Sequence, residues 1–474
     1  MKEECGIAAF YSKKKKHIPL SSLVENLKNL QHRGRESAGI TEWNRKLCNF
    51  KIYKGLGLVG EALDNKIGDV GSRSSIAHTR YSTSGNKIEN MLDEAQPFSG
   101  EHPRLGKFTL AHNGNLPALP ELLKQYPNIN KDMKTNSDSE FLLRYLENDI
   151  GTNWDVIIKK LVNDIPGVYS LIIQVGLDDG KDIIYLLKDR YGIRPLVIGE
   201  DNSCYYIASE TVGLPWNIQS IMNHYEIRPG EIWKLDRQSS KIPILVSENT
   251  NILRYSSMCL FEYIYFQRPK SLYQGKYIKD IRYDLGSKMA ELDMEYIHSS
   301  MKDTIVVGMP NSAIPAGMGY ADYIGVPYQQ IIWKEKNCGR TFILPENNDR
   351  IKTIKKKIKF NHDQLAGKSI ILVDDSIVRG NTIRAFVQNL REACVNKIHI
   401  RVISPPIRYP CFMGVDIPSV DELIANNRTT QEIKDILDID SLKYLSIKDI
   451  HQVLGKELCT GCFTGKYPPG LLDW

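Results

Sequence analysis

Two adjacent carboxylates, Asp374 and Asp375, directly follow the apolar run Ile370-Ile371-Leu372-Val373 and lead into Ser376, Arg379, Gly380 and Thr382. Hydroxyls and the backbone N–H groups of a glycine-containing turn suit a phosphate, above all where a helix begins. Carboxylates do not bind phosphate, so the acidic pair calls for the hydroxyls of a ribose, or for Mg²⁺ between acid and substrate. The run therefore reads as a sugar-phosphate site. A second set of short motifs fills the first third of the chain: ECGIAAF from Glu4, LQHRGRESAGI at 30–40, AHTRYSTSG at 77–85, AHNGNL at 111–116 and NSDSE at 136–140. Each alone is compatible with ordinary turn chemistry. A third set is made of thiols. Cys459 and Cys462 form a CxxC near the end of the chain, and Cys259 and Cys411 stand far upstream in short aromatic segments. Four thiolates suit either Zn²⁺ or a 4Fe–4S cluster.

These groups need elements to hold them. Residues 370–373 are a β-branched run fit for a strand buried on both faces of a parallel sheet, which puts the acids at its carboxyl end, where open α/β sheets collect ligands. From about Asp303 strand and helix alternate: TIVVGMP, a helix around Ala316–Ile324, PYQQIIW, the acid-bearing strand, a helix over Ile383–Ala393, then KIHIRVIS. That pattern predicts a parallel sheet with covering helices. Residues 5–240 read as short alternating strands with helices over Leu20–Leu30 and Ser139–Leu146, the second preceded by Thr135, Ser137 and Asp138 as starting signals. Residues 259–300 link the halves, with a helix near Lys276–Ser299, and the last thirty or so residues read as a helical tail.

A length of 474 residues exceeds one compact core, so at least two domains are expected. The net charge of +6 gathers in Lys13–Lys16 and Lys352–Lys359, too modest to require nucleic acid as a partner. No apolar stretch approaches the roughly 18 residues that span a bilayer, and the N-terminus lacks the form of a secretory signal; a cytoplasmic protein is expected. Nine cysteines in such a chain argue against a disulfide framework.

The run from Ile370 to Thr382 resembles the phosphoribosyl-pyrophosphate (PRPP) loop of type I phosphoribosyltransferases. The ordered motifs beginning at Cys5 resemble the class II, N-terminal-nucleophile glutamine amidotransferases. Together they resemble the amidophosphoribosyltransferase family over essentially the whole chain, as do DRYGIRPL at 189–196, ASE at 208–210, RPGE at 228–231, EYIYFQRP at 262–269, VVGMPNS at 306–312, GRTFI at 339–343 and PCFMG at 410–414. The resemblance implies an α+β (αββα) N-terminal-nucleophile glutaminase domain followed by an α/β type I phosphoribosyltransferase domain with a parallel sheet. The expected boundaries are a propeptide at 1–4, the glutaminase at 5–240, the transferase at 259–440 and a cluster-bearing tail at 441–474.

By the same resemblance Cys5 is the nucleophile, and its α-amine the base once Met1-Lys2-Glu3-Glu4 are removed. Asn113 and Gly114 form the oxyanion hole, Arg80 binds the α-carboxylate of glutamine and Asp138 its α-ammonium. Asp374, Asp375, Ser376, Arg379, Gly380 and Thr382 bind PRPP, with Ser312 joining the acids around Mg²⁺. Arg340 and Thr341 belong to a lid, and Lys334, Arg350 and Lys357 to phosphate or inhibitory purine-nucleotide sites. In the iron–sulfur branch of the family, cysteines stand where Cys259, Cys411, Cys459 and Cys462 stand here, which favours a 4Fe–4S cluster over Zn²⁺. A homodimer or homotetramer is implied. Arg35, Tyr191 and Asn337 depart from the family pattern, the first two in packing and the last inside the lid. The rivals are an amidotransferase with another sugar-phosphate acceptor, against which the acidic pair speaks, and a PRPP-sensing purine regulator, which would lack a nucleophile domain.

Overall fold

Alternating apolar residues along the strand Gly6–Ser12 point to two different layers. Ala8 and Phe10 pack with Leu20, Leu23 and Leu27 of the helix Leu20–Asn29, while Ile7, Ala9 and Tyr11 pack with Ile172, Ile184 and Leu186 of a second sheet. The computed structural model describes residues 5–14, 16–68, 70–81, 91–218, 224–239, 243–248, 257–294, 303–334, 358–360, 365–415, 417, 419–455 and 457–471. Met1–Glu4, Asn337, Arg340, Thr341, Arg350 and Lys357 lie outside these residues, as does the side chain of Lys334.

Among the described residues, the first half forms two antiparallel sheets of seven and six strands. The first has Gly6–Ser12 at its centre, between Cys204–Ala208 and Ser74–Arg80. The second runs through Asp182–Lys188, Val168–Gly176, Gly106–Asn115 and Phe98–His102. The helices Leu20–Asn29 and Val59–Ile67 cover the outer face of the first sheet; Asp138–Asn148 and Trp154–Asp164 cover that of the second. This is the expected αββα layering. Both expected helices are present within a residue or two of their predicted ends.

In the second half the strands Thr304–Gly308, Ser369–Asp374, Lys397–Val402 and Ser441–Tyr444 pair in that order, all parallel. Ile371 and Val373 face one core beside the helices Ile278–Glu291 and Ile314–Ile324; Ile370 and Leu372 face another with Phe386 and Leu390 of the helix Asn381–Glu392. The helix expected at Lys276–Ser299 is described over Ile278–Glu291, because Lys276–Tyr277 pair with Leu272–Tyr273 in a small hairpin. The segment expected as a helical tail instead opens with the strand Ser441–Tyr444. Its four half-buried residues, SLKY, carry neither an apolar run nor a long alternation, so sheet pairing rather than local pattern decides them.

Contacts between distant segments tie the chain together. Met258-Cys259 pairs in parallel with Leu458-Cys459, bringing the C-terminal segment back to the start of the link. Arg33 of the first half reaches Glu262 in the helical turn Glu262–Phe266, with Nη2–Oε1 at 2.7 Å, and Glu210 at 2.7 Å. All three side chains are buried, so each charge depends on the others for compensation.

Candidate functional site

Cys5 precedes the first strand, and the register Gly6 opposite Thr79 sets it against Arg80 at the end of Ser74–Arg80. Its Sγ donates to the Tyr81 carbonyl at 3.5 Å and its own carbonyl accepts from Arg33 Nε at 3.1 Å. Burial pushes the thiol up to about 11, outweighing the Tyr81 hydrogen bond and the nearby Arg80 charge. Close to neutral pH only roughly one such thiol in several thousand is ionised, so attack requires a base.

Asn113 and Gly114 stand near the end of Gly106–Asn115, in register with Ser170 and Tyr169. The Asn113 side chain is buried, yet its Nδ2 has no hydrogen-bond partner among the described residues. A buried donor left open in this way is what an oxyanion needs and what a purely structural asparagine avoids. Gly114 is required by close approach: a Cβ there would lie 1.9 Å from the Val168 carbonyl oxygen. Asp138, at the start of its helix, accepts from Leu116 N at 3.1 Å and from Ser139 Oγ at 3.2 Å, and its charge is felt at Cys5. Cys5, Arg80, Asn113, Gly114 and Asp138 thus come from separate strands and a helix start to the same end of the sandwich.

At the other site Asp374 ends its strand and Asp375 follows, its backbone N–H capped by Asp374 Oδ1 at 2.8 Å. Ser312 Oγ donates to Asp375 Oδ2, and Ser376 Oγ to Asp375 Oδ1 at 2.6 Å. The hydroxyl and both acids are therefore brought together as expected. Gly380 has φ +78 and precedes the helix Asn381–Glu392, where the left-handed turn favours glycine and aims the first N–H groups at the loop. Thr382 lies in the first turn of that helix. Arg379 is different: its Nε donates to Glu422 in an exposed pair. The buried Arg282, anchored on the carbonyls of Tyr263 and Gln267 at 2.7 and 2.8 Å, lies near enough to Asp375 for their charges to interact.

Between the two sites is a cavity of about 110 Å³, lined by His32 and Arg33 from the first half and by Tyr265, Arg282, Asn311 and Ser312 from the second. Arg33 touches Cys5 and Ser312 touches Asp375, so the cavity is in contact with both sites through single side chains. Burial opposes the charge of Glu210, but His32 and Arg33 overcome it and hold the carboxyl far below the usual range.

The four cysteines also gather. Cys259 and Cys459 are paired by register, and the Cys462 carbonyl accepts from the backbone N–H groups of Arg408 and Tyr409, both at 3.0 Å, next to Cys411. Burial raises all four thiols, and Cys462 interacts electrostatically with each of the other three. Among the described residues no three His, Cys, Asp or Glu side chains are grouped tightly enough for a single metal ion.

Several site-building residues were given no role from the sequence: Glu94, whose carboxylate accepts from Arg80 Nη2; Gln96 behind the oxyanion strand, with Ser139 of the NSDSE motif; Glu210 of ASE and Glu262 of EYIYFQRP around Arg33; and Arg282. Each is a polar residue buried by partners far away in the chain, which local spacing does not encode. The Tyr191 departure is resolved as packing: its hydroxyl donates to the Pro469 carbonyl and its ring lies in the core beside Cys259.

This arrangement has counterparts. The glutamine amidotransferase domain profile matches residues 80–215, from Arg80 onward. An amidophosphoribosyltransferase of Methanothermobacter thermautotrophicus is 35% identical over 99% of this chain and 96% of its own length, and one of Bacillus subtilis is 32% identical over 99% and 94%. The solved glutamine PRPP amidotransferase of B. subtilis, complexed with ADP and GMP, superimposes with a TM-score of 0.83 at 32% identity, covering 98% of this chain and 97% of that one. With likeness of sequence and fold extending across both halves, the chain belongs to the amidophosphoribosyltransferase family.

Proposed function

We propose that this chain is a glutamine-dependent amidophosphoribosyltransferase: it hydrolyses glutamine at Cys5 and delivers the ammonia to C1 of PRPP, giving 5-phosphoribosylamine, glutamate and pyrophosphate, the first committed step of purine synthesis. The observation that carries this reading is the buried Asn113 Nδ2, without a hydrogen-bond partner among the described residues, at the end of the sandwich that holds Cys5, in a chain whose other half presents Asp374 and Asp375 at a strand end. Cys5 Sγ attacks the carboxamide carbon, and its proton passes to the α-amine of Cys5 once residues 1–4 are cleaved off. The oxyanion is met by Asn113 Nδ2 and the Gly114 N–H. Arg80 takes the α-carboxylate and Asp138 the α-ammonium. The cavity lined by Arg33 and Ser312 lies between the two sites, where ammonia would pass.

At the acceptor, Asp374 and Asp375 hold the ribose hydroxyls and the loop 376–382 the 5′-phosphate. Mg²⁺ is bound by few protein groups and relies on substrate phosphates, which fits two acids and the Ser312 hydroxyl. Arg340 and Thr341 complete the lid. Lys334, Arg350 and Lys357 serve purine-nucleotide feedback, a reading supported by the relative solved with ADP and GMP. The Arg379 pair with Glu422 leaves that residue a role only after it swings inward.

Cys259, Cys411, Cys459 and Cys462 would hold a 4Fe–4S cluster. The four cysteines stand where the iron–sulfur branch of the family carries its ligands, and Cys462 lies close enough to the other three thiols to interact with them electrostatically. Met413 N donates to Cys411 Sγ at 3.3 Å, the kind of contact that supports a cluster thiolate. When bound, the group supplies a covalent staple between the link, the 411 loop and the C-terminal segment, with no electron needed for the reaction. No described helix is long and apolar enough to cross a membrane, in keeping with a cytoplasmic enzyme.

The test compares wild type with Cys5→Ala, using glutamine or ammonium. Pyrophosphate release from PRPP should persist with ammonium and vanish with glutamine in the variant. Retention of glutamine-dependent turnover would refute the assignment. Intact mass tests the cleavage: active protein that still carries residues 1–4 would rule out the amine as base.

A further inference from the structure

We propose that Glu94 and Gln96 form a positioning frame that sets the enzyme's selectivity for the α-amino-acid end of glutamine. This rests on the reading of Arg80 and Asp138 as the groups that bind that end. Glu94 is 2% exposed, and its carboxylate accepts from Arg80 Nη2. Arg80 carries five N–H donors in a rigid fork, so one edge can be held by Glu94 while the other meets a substrate carboxylate. Glu94 supplies the buried guanidinium with a counter-charge, which limits its drift toward other acceptors. Glu94 thus keeps Arg80 aimed.

Two residues on, Gln96 does the same for the other recognition group. Its Oε1 accepts from the His112 backbone N–H at 2.7 Å, and its Nε2 donates to Ser139 Oγ at 3.0 Å. Ser139 Oγ in turn donates to Asp138 Oδ1 at 3.2 Å and stands 2.9 Å from His112 Nδ1. His112 directly precedes Asn113, so one amide side chain fixes the spacing between the oxyanion strand and Asp138. The segment itself is anchored: Lys54 Nζ donates to the Ala95 carbonyl at 2.5 Å, and a Cβ at Gly39 would lie 2.3 Å from the Gln96 carbonyl oxygen. Glu94 and Gln96 touch no reacting atom. They act through Arg80, Asp138 and the His112 backbone.

The test uses the full-length enzyme and the variants Glu94→Gln, Glu94→Asp, Arg80→Met and Arg80→Met/Glu94→Gln. Readouts are kcat and KM for glutamine, relative kcat/KM for glutamine over its α-amide, and ammonium-dependent pyrophosphate release as a check on the rest of the fold. Glu94→Gln should raise KM for glutamine about tenfold or more with kcat within about threefold, and should narrow the preference for glutamine over the α-amide. Glu94→Asp should recover part of the loss. In the Arg80→Met background Glu94→Gln should add less than about twofold, because its effect runs through Arg80. A fall in ammonium-dependent turnover matching the glutamine loss, an unchanged KM, or full additivity with Arg80→Met would overturn the inference. An unchanged glutamine KM in Arg80→Met itself would overturn the underlying assignment of Arg80 as well.

Discussion

Replacing Asn113 with alanine isolates what a single buried donor contributes to the glutaminase step. Among the described residues Asn113 Nδ2 is buried and has no hydrogen-bond partner, so loss of this donor strands no described acceptor. The usual penalty of about 1–3 kcal/mol for orphaning a buried group therefore does not arise, because the group is already an orphan. Stability should change by less than about 1 kcal/mol, and Tm by no more than about 3 °C. The transition state is another matter. One oxyanion donor is worth about 10²–10³ in kcat, or about 2.7–4 kcal/mol, and this interaction forms only as the carbonyl oxygen acquires charge. The expected result is a kcat for glutamine hydrolysis lowered by about two to three orders of magnitude with KM within about threefold. Glutamate release, ammonium-dependent pyrophosphate release and a thermal melt measured on one preparation decide it. A loss falling mainly on KM would mean that the amide binds ground-state glutamine. A drop in Tm matching the loss of activity would mean that its role is structural.

Three further outcomes follow from other parts of the molecule. Arg33→Met leaves the buried Glu210 and Glu262 carboxylates without their shared cation and should cost about 3–5 kcal/mol in a urea melt; a near-neutral result would show that the halves do not depend on this bridge. Burial holds the folded-state pKa of His78 at about 3 and of His399 at about 4, below the unfolded value of 6.5, so their contribution is fully present above pH 6.5 and is lost as pH falls from there. Unfolding free energy should decline by up to about 1.4 kcal/mol per pH unit for each histidine between pH 6 and 5, and His399→Gln should remove one such increment in urea melts at stepped pH. Cys462→Ala should abolish iron incorporation, read by metal analysis and visible absorbance, and should expose the C-terminal segment to limited proteolysis. Equal iron content in the variant would refute the four-cysteine ligand set.

Local elements and reactive side-chain types were legible along the chain. Ile370–Val373 is apolar without interruption because its strand is covered on both faces, and that alone located Asp374 and Asp375 at a strand end. The helices Leu20–Asn29 and Asp138–Asn148 carried enough periodicity and starting chemistry to be placed from the chain alone. Cys5, the CxxC and the ordered polar motifs likewise announced their chemistry through side-chain identity. Which charges meet was set by long-range packing. Register set Cys5 against Arg80, strand pairing drew the tail residues Ser441–Tyr444 into the parallel sheet, and packing turned Arg379 toward Glu422. The same holds for Glu94 on Arg80, Gln96 on His112 and Arg33 between two glutamates. The physical reason is one of range: helix and strand patterns repeat every few residues, whereas a buried ion pair between residues 33 and 262 depends on two separately folded surfaces closing upon it.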